Sequence, residues 1–359
     1  MRIRTSVFLP TLLGFFLLST LFLLSNHDLS IFGQDSTQNG KNSIYIPPTI
    51  SKEAQQKLST LQPDLVSNNL PGPNDLNAWK KIFQERESGR DVNITALSEF
   101  YQANLTYAKM GNSNVMDIKP NNWSNDDKIL VYTHGGGYTQ LSANTTLGGA
   151  LEIANTTGLR MISIDYTLAP FSKWNQTTDQ ILSVIQDLKS NQGYSLDNLA
   201  MIGDSAGGDM TLGSVLKMRD TGIGLPGAVV VLSPNTDLTL TGDTVTTLRD
   251  ADPILNADAV KIMVSTYANP NEYTIPYVSP IYGNFTEGFP PTLIQVGTKE
   301  ILLSDSVRLY QALDQAHIPV KLDVYEGMPH VFQGALANTP ESKIAISKIN
   351  DFLKEYLIR

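Results

Sequence analysis

Residues 199–208 read LAMIGDSAGG, an apolar run that ends in a serine flanked by glycines. The run predicts a buried strand, and a helical pattern over residues 206–218 follows it directly. Ser205 therefore falls on a tight turn from a strand to a helix. This is the context in which a Gly-x-Ser-x-Gly pattern presents a nucleophilic serine. Glycines suit both flanks because side chains there would collide with neighbouring strands.

Beyond residue 112, short apolar runs alternate with helical periodicity, which is typical of strand–helix–strand units. The predicted strands are 129–133, 161–165, 200–203, 228–232, 293–296 and 320–325. The predicted helices are 178–190, 206–218, 303–316 and 341–356. The fold class is therefore α/β, with a mostly parallel sheet flanked by helices.

A second glycine-rich motif, HGGGY at residues 134–138, follows the predicted strand 129–133. Three successive glycines allow backbone N–H groups to converge on a carbonyl oxygen. In enzymes with a serine on a strand-to-helix turn, such a loop forms part of the oxyanion hole, and the N–H after the serine completes it. The candidate donors are Gly136, Gly137 and Ala206. The simpler alternative is a glycine-rich turn with a structural histidine.

The chain has four histidines, so the candidates for a general base are few: His27, His134, His317 and His330. In this class of enzyme the triad follows the order serine, acid, histidine along the chain, which leaves only His317 and His330. His317 lies between a predicted helix end and a strand start, where a helix cap or surface residue is expected. His330 follows the strand 320–325, at the sheet edge that carries Ser205, and is the predicted base.

Two carboxylates are candidates for the triad acid. Glu300 lies in the loop after the strand 293–296, whereas Asp305 lies in the first turn of the next helix. Either side chain could orient the imidazole and stabilise its positive charge. Glu300 is the predicted acid because it is closer to the sheet edge. Asp305 is explained by its favourable charge at a helix N-terminus.

These motifs resemble the hormone-sensitive-lipase-like family of α/β-hydrolase carboxylesterases, in which HGGG precedes GDSAG. Further matches are DYTLAP at 165–170, Ser279-Pro280, VGT at 296–298 and GMPH at 327–330. The resemblance covers residues 76–359. It implies an N-terminal cap, hydrolysis of short- to medium-chain acyl esters, no metal or cofactor, and the triad and oxyanion residues named above. Some family members have glutamate at the position of Glu300.

The sequence also departs from the family pattern in two places. Thr167 stands where the family usually has arginine, and the acidic continuation of that motif is replaced by FSKW at 171–174. These differences concern the wall behind the oxyanion loop rather than the triad.

Composition excludes several other functions. The 26 Lys and Arg residues against 35 Asp and Glu give a net charge of −9, which would repel a nucleic-acid backbone. The absence of cysteine excludes disulfides, thiolate nucleophiles and sulfur-ligated metal sites. Composition thus gives the expectation of no nucleic-acid partner, and the family resemblance implies a small-molecule ester substrate and no cofactor.

The N-terminal region predicts attachment to a membrane. Arg2 and Arg4 precede an uncharged apolar run over residues 7–24, so residues 1–27 are expected to be an uncleaved signal anchor with the rest of the chain exported. The alternative is a cleaved signal peptide and a secreted protein. Residues 28–75 are rich in Asn, Gln, Ser and Pro, which predicts a flexible linker with a short helix near 51–61.

The predicted catalytic domain spans residues 111–359. The segment 76–110 is expected to form cap helices, and an insertion at about 250–282 could join them in a lid over the sheet edge. Two alternative functions use the same residues. One is a non-catalytic ligand-binding protein with this fold, and the other is an amidase or peptidase.

Overall fold

The computed structural model describes residues 45–61, 70–88, 92–124 and 127–357. The strands in this part of the chain are β1 Asn104–Met110, β2 Ser113–Lys119, β3 Ile129–Thr133, β4 Arg160–Asp165, β5 Leu199–Asp204, β6 Ala228–Leu232, β7 Thr292–Lys299 and β8 Val320–Pro329. The helices are α1 Lys52–Thr60, α2 Leu76–Ser88, α3 Ile94–Tyr101, α4 Leu147–Thr157, α5 Trp174–Ser190, α6 Ala206–Asp220, α7 Asp243–Thr247, α8 Ala257–Tyr267, α9 Leu303–Gln315, α10 Phe332–Ala335 and α11 Pro340–Tyr356.

The strands form one eight-stranded sheet with the order β1-β2-β4-β3-β5-β6-β7-β8. β2 pairs antiparallel with β1 and with β4, and all other neighbours pair in parallel. The carboxyl ends of β3, β5, β6, β7 and β8 therefore lie along the same edge. The site residues predicted from the sequence lie in the loops that follow four of these strands, β3, β5, β7 and β8.

Helices cover both faces of the sheet. Met201 and Val231 pack in a core that includes residues of α5, α6 and α9. Their neighbours Ala200 and Val230 pack on the opposite face with residues of α4 and α11. β5 and β6 are buried along their whole length, which explains why they read as continuous apolar runs rather than as alternating patterns.

The α/β prediction is confirmed by this architecture. Each of the six predicted strands and four predicted helices is present, with bounds that differ by at most four residues. The prediction of helices throughout 76–110 is wrong at its C-terminal end, because residues 104–110 form β1. A two-residue turn, Gly111-Asn112, connects β1 to β2, and Met110 pairs with Ser113 across it. The predicted boundary between the cap (76–110) and the catalytic domain (111–359) therefore divides a hairpin.

The segment read as a linker also contains packed structure. The helix predicted near 51–61 is α1, and its Ala54 and Leu58 are buried against Met328 and Phe332. The N–H and hydroxyl of Ser51 both donate to the Glu341 carboxylate, at 2.7 and 2.8 Å. The part of the chain around α1 is thus fixed to the C-terminal half of the domain rather than free.

The predicted anchor, residues 1–27, lies outside the described residues. Among the helices that the structure does describe, none combines the length and apolar character needed to cross a membrane.

Candidate active site

Ser205 occupies the turn between β5 and α6. Its φ of +52° and ψ of −123° are unusual for a residue with a side chain, and such a conformation costs on the order of 1–3 kcal/mol. The turn also requires glycine at 207, because a Cβ there would lie 2.1 Å from the carbonyl oxygen of Thr133. β3 and α6 can approach this closely only without that side chain, so the turn brings Ser205 to the sheet edge.

The HGGGY loop is fixed to the serine turn by the residue before the nucleophile. The Asp204 carboxylate accepts a hydrogen bond from the Gly135 N–H at 3.0 Å and another from the Tyr132 hydroxyl. On the other side of the loop, the Tyr166 hydroxyl donates to the carbonyl oxygen of His134 at 2.8 Å. Burial lowers the pKa of His134 to about 4, so its ring is neutral at physiological pH. His134 is fully buried and its Nδ1 lies 2.8 Å from the Gly135 carbonyl oxygen of its own loop, so it is a structural residue of the loop.

The predicted oxyanion donors belong to two segments, the HGGGY loop and the start of α6, which the hydrogen bond from Gly135 to Asp204 joins. Gly136 and Gly137 have φ values of +108° and +57°, and their N–H groups donate to no acceptor among the described residues. Ala206 is the first residue of α6, where an N–H has no partner within the helix. Three backbone donors are thus available to a ligand. α8 limits the space around them, because a Cβ on Gly137 would lie 2.1 Å from the Met263 sulfur.

A buried polar network supports the loop from behind. The Tyr138 hydroxyl donates to Asp209 Oδ2 at 2.9 Å and accepts from the Asn235 side chain at 3.1 Å. The Tyr138 ring stacks on Tyr267 of α8, with centroids 4.0 Å apart. Burial, and secondarily the charge of Asp305, raise the pKa of Asp209 well above its ordinary value. This network links the end of the HGGGY motif to α6 and to the insertion predicted at 250–282.

The predicted serine, base and acid are in hydrogen-bond contact. His330 Nε2 lies 2.8 Å from Ser205 Oγ, and His330 Nδ1 lies 2.9 Å from Glu300 Oε2. Because a carboxylate only accepts, Nδ1 carries the proton and Nε2 is free to accept the serine proton. Glu300 is fully buried and His330 is 5% exposed.

The electrostatics of this group favour a basic imidazole. Burial alone would lower the pKa of His330, but the hydrogen bond and charge of Glu300 outweigh it and raise that pKa above the ordinary value. The charges of Asp252 and Asp204 act in the same direction. Asp252 comes from the 250–282 insertion, and burial raises the pKa of its own carboxyl to about 6. Its Oδ2 accepts the Ile301 N–H at 2.9 Å, beside Glu300.

The alternative acid and base lie elsewhere. Asp305 Oδ2 accepts the backbone N–H groups of Thr236 and Asp237, at 2.7 and 3.0 Å, and so orders the loop after β6. His317 follows the C-terminus of α9 in a left-handed conformation, with φ of +59°. The next residue, Ile318, donates its N–H to the Leu313 carbonyl oxygen of α9, which completes a helix C-cap. Neither residue contacts Ser205.

Sequence reasoning missed several residues that contact the site. Asp252 and Asp209 carry no motif of their own, and Met263 lies in an insertion whose path cannot be read from periodicity. Ser233, the first residue after β6, donates from its hydroxyl to Glu300 Oε1 at 2.9 Å. A position at the carboxyl end of a parallel strand was the available signal for Ser233, since ligands and catalytic groups collect at that edge.

Comparisons with known proteins agree with this fold. A family model described as alpha/beta hydrolase fold matches residues 130–334. An esterase of Acinetobacter venetianus is 33% identical over 226 residues, which cover 63% of this chain and 74% of the relative. An acetyl-hydrolase of Streptomyces hygroscopicus is 30% identical over 229 residues, 64% of this chain and 76% of that protein.

Solved structures give the same assignment. The crystal structure of esterase E25 superposes with a TM-score of 0.80 at 28% identity and covers 90% of this chain and 100% of its own. An esterase from the bacterial hormone-sensitive lipase family has a TM-score of 0.73 at 27% identity, covering 86% of this chain and 99% of its own. The fold and these similarities define a carboxylic ester hydrolase with the α/β-hydrolase fold. Within that class, the chain belongs to the hormone-sensitive-lipase-like family of carboxylesterases.

Proposed function

We propose that the protein hydrolyses short- to medium-chain acyl esters through a Ser205–His330–Glu300 triad and an acyl-enzyme intermediate. The observation that carries this proposal is the continuous hydrogen-bonded row from Ser205 Oγ through both ring nitrogens of His330 to Glu300 Oε2. A hydrogen-bonded serine–imidazole–carboxylate row, with its imidazole and carboxylate buried, is the arrangement that nucleophilic acyl transfer uses.

In the first step, Ser205 Oγ attacks the ester carbonyl carbon while its proton passes to His330 Nε2. The carbonyl oxygen, as it becomes negatively charged, accepts hydrogen bonds from the N–H groups of Gly136, Gly137 and Ala206. The bond to the alcohol oxygen then breaks, and the imidazolium returns its proton to that leaving alcohol. Glu300 stabilises the imidazolium and keeps the proton on Nδ1 throughout.

In the second step, water attacks the acyl-serine ester, and His330 Nε2 accepts the proton from that water. Collapse of the second tetrahedral intermediate releases the carboxylic acid, and the proton returns to Ser205 Oγ. The net reaction consumes one ester and one water and yields one acid and one alcohol. The three backbone donors serve both intermediates because the oxyanion develops in the same position each time.

The test is a series of p-nitrophenyl esters from acetate to palmitate, hydrolysed by wild type, Ser205→Ala and His330→Ala. We expect both variants to lose about 10⁴-fold or more in kcat, with the wild-type rate highest on the shorter chains. Wild type no faster than Ser205→Ala on every ester would contradict esterase activity by this serine. A matched series of anilides measures amidase activity, and the proposal predicts much lower kcat/KM for each anilide than for its ester.

We further propose that the enzyme is exported and anchored to the membrane by residues 1–27. The supporting pattern is Arg2 and Arg4 ahead of the uncharged apolar run 7–24. The full chain, expressed in a bacterium, is expected to sediment with membranes, to resist carbonate extraction and to be cleaved by protease added outside the cytoplasm. A shortened chain in the soluble exported fraction would indicate a cleaved signal peptide instead.

A further inference from the structure

Ser233 lies where the acid and base loops meet. It is fully buried and follows β6 directly. Its Oγ lies 2.9 Å from Glu300 Oε1 and 3.1 Å from the backbone nitrogen of Val331, the residue after His330. The Val331 N–H can only donate and the Glu300 carboxylate can only accept. The Ser233 hydroxyl therefore accepts from the histidine loop and donates its own proton to Glu300.

These contacts determine which oxygen of Glu300 faces His330. Oε1 accepts from both Ser233 Oγ and the Gly297 N–H, the latter at 2.6 Å, whereas Oε2 accepts from His330 Nδ1. A glutamate side chain has three rotatable bonds, so its carboxylate must be fixed from outside to keep one oxygen on the imidazole. The two donors on Oε1 supply that restraint.

Backbone conformation at this contact is costly on both sides. Ser233 has φ of +49° and Val331 has φ of +47°, a region that side chains rarely adopt and that is especially unfavourable for a β-branched residue. The backbone N–H of Ser233 donates to the Gln295 carbonyl oxygen at 2.7 Å and continues the β6–β7 pairing without help from the hydroxyl. The hydroxyl is thus not needed for the path of its own strand, and its two partners are the acid and the base loop.

We propose that Ser233 is a positioning residue for the triad, whose hydroxyl couples the orientation of the Glu300 carboxylate to the position of the His330 loop. The role rests on the proposed function, since it acts through Glu300 and His330 and touches no substrate. Because the hydroxyl serves the proton-transfer groups rather than binding, its removal lowers kcat and leaves KM nearly unchanged.

The first test compares Ser233→Ala and Ser233→Gly with wild type on p-nitrophenyl butyrate. Both variants lack the hydroxyl, but glycine adopts a φ of +49° without strain, so the pair separates loss of the hydroxyl from backbone strain. We expect kcat to fall about 10- to 100-fold in both, with KM within about threefold of wild type, since charge-assisted hydrogen bonds are the stronger class.

Ser214→Ala is the matched control, because the Ser214 hydroxyl is buried without a hydrogen-bond partner among the described residues. Its kcat should equal that of wild type. Wild-type kcat in Ser233→Gly would overturn the proposal.

A second test separates positioning from general stability. In a Glu300→Ala background the hydroxyl has no carboxylate to orient. The fold loss in kcat caused by Ser233→Ala should therefore be at least five times smaller in that background than in wild type. Equal losses in both backgrounds would overturn the proposal.

If wild type hydrolyses no ester, the proposed function fails, and NMR of the His330 Nδ1–H proton tests Ser233 separately. That resonance should be downfield and slow to exchange in wild type and exchange faster in Ser233→Gly; identical exchange in the two proteins would contradict the role.

Discussion

The two sides of Ser205 are fixed by different means. On the oxyanion side, the loop 134–138 approaches β5 and α8 so closely that glycines are required, and Asp204 ties its backbone to the serine turn. On the acid–base side, Glu300 and His330 are oriented by side-chain hydrogen bonds that include Ser233. The oxyanion side therefore needs glycines for close packing in addition to polar contacts on its backbone, whereas the acid–base side depends on hydrogen bonds to the catalytic side chains themselves. Substitutions on the oxyanion side should therefore reduce activity through steric clash, and substitutions on the acid–base side should reduce it through impaired proton transfer.

The largest effect is expected on the acid–base side. Glu300→Gln preserves shape but removes the charge that stabilises the imidazolium, and kcat should fall about 10⁴-fold. Asp305→Asn is the matched control, since Asp305 accepts from backbone N–H groups of the β6 loop and not from His330. Its kcat should stay within about threefold of wild type. An equal loss in both variants, measured on p-nitrophenyl butyrate, would contradict the choice of Glu300 as the acid.

The next effect is steric and lies on the oxyanion side. Gly137→Ala places a methyl group against the Met263 sulfur and removes glycine from a φ of +57°, so the loop must shift away from the oxyanion position. We expect kcat to fall about 10²-fold with a smaller change in KM. Adding Met263→Ala makes room for the methyl group and should restore part of the loss. If the double variant is no faster than Gly137→Ala, then contact with α8 does not control this loop.

A smaller effect is expected in the pH profile. The base must be neutral to act, and the pKa of His330 is raised by Glu300 and by the charge of Asp252. The acid limb of kcat/KM should therefore have its midpoint above about 6.5, and activity should fall as pH drops through it. Asp252→Asn removes one negative charge, which lowers the pKa of His330 and moves the midpoint to lower pH. Asp250→Asn, the same change at an exposed position, should leave the midpoint unchanged. If Asp250→Asn shifted the midpoint as much as Asp252→Asn does, the shift would come from net charge and not from the position of Asp252.

The smallest effect concerns stability rather than activity. Burial raises the pKa of Asp305 to about 7, compared with about 3.9 in an unfolded chain. Because the folded state binds this proton more tightly, the stabilisation is complete below about pH 4 and is lost as pH rises through 7. Asp305→Asn cannot ionise, so its free energy of unfolding relative to that of wild type should rise between pH 5 and pH 8, by about 2–3 kcal/mol. Denaturant unfolding of both proteins at pH 5 and pH 8 measures this difference in free energy. If Asp305→Asn became less stable relative to wild type at pH 8 than at pH 5, the raised pKa of Asp305 would be contradicted.

The parallel half of the molecule was predictable from sequence because its central strands β3, β5 and β6 are buried along their whole length and its motifs lie at strand ends. The runs at 129–133 and 228–232 coincide with β3 and β6, and the positions of Ser205, Glu300 and His330 after β5, β7 and β8 follow from the shared direction of those strands. Loops after parallel strands meet at one edge whatever their sequence separation.

The N-terminal half was less predictable, for physical reasons. β1 is an edge strand with mostly exposed or half-buried residues, so it lacks the apolar run that identified the others. The Gly111-Asn112 turn was its only clear signal. α4 was missed because Gly148 and Gly149 stand in its first turn and lower its helix propensity. In the parallel half, Ser233 was missed although it stands at a strand end, because a single serine carries no motif and its role depends on tertiary contacts.

The central claim is that Ser205 is the nucleophile and His330 its base, and trapping the covalent intermediate tests this most directly. A p-nitrophenyl alkylphosphonate should transfer its phosphonyl group to Ser205 Oγ and release one equivalent of p-nitrophenol per chain. Mass spectrometry of the digested protein should locate the added mass on the peptide that contains Ser205. Labelling should be abolished by Ser205→Ala and strongly slowed by His330→Ala. Stoichiometric labelling at another residue, or unchanged labelling of Ser205→Ala, would contradict the account.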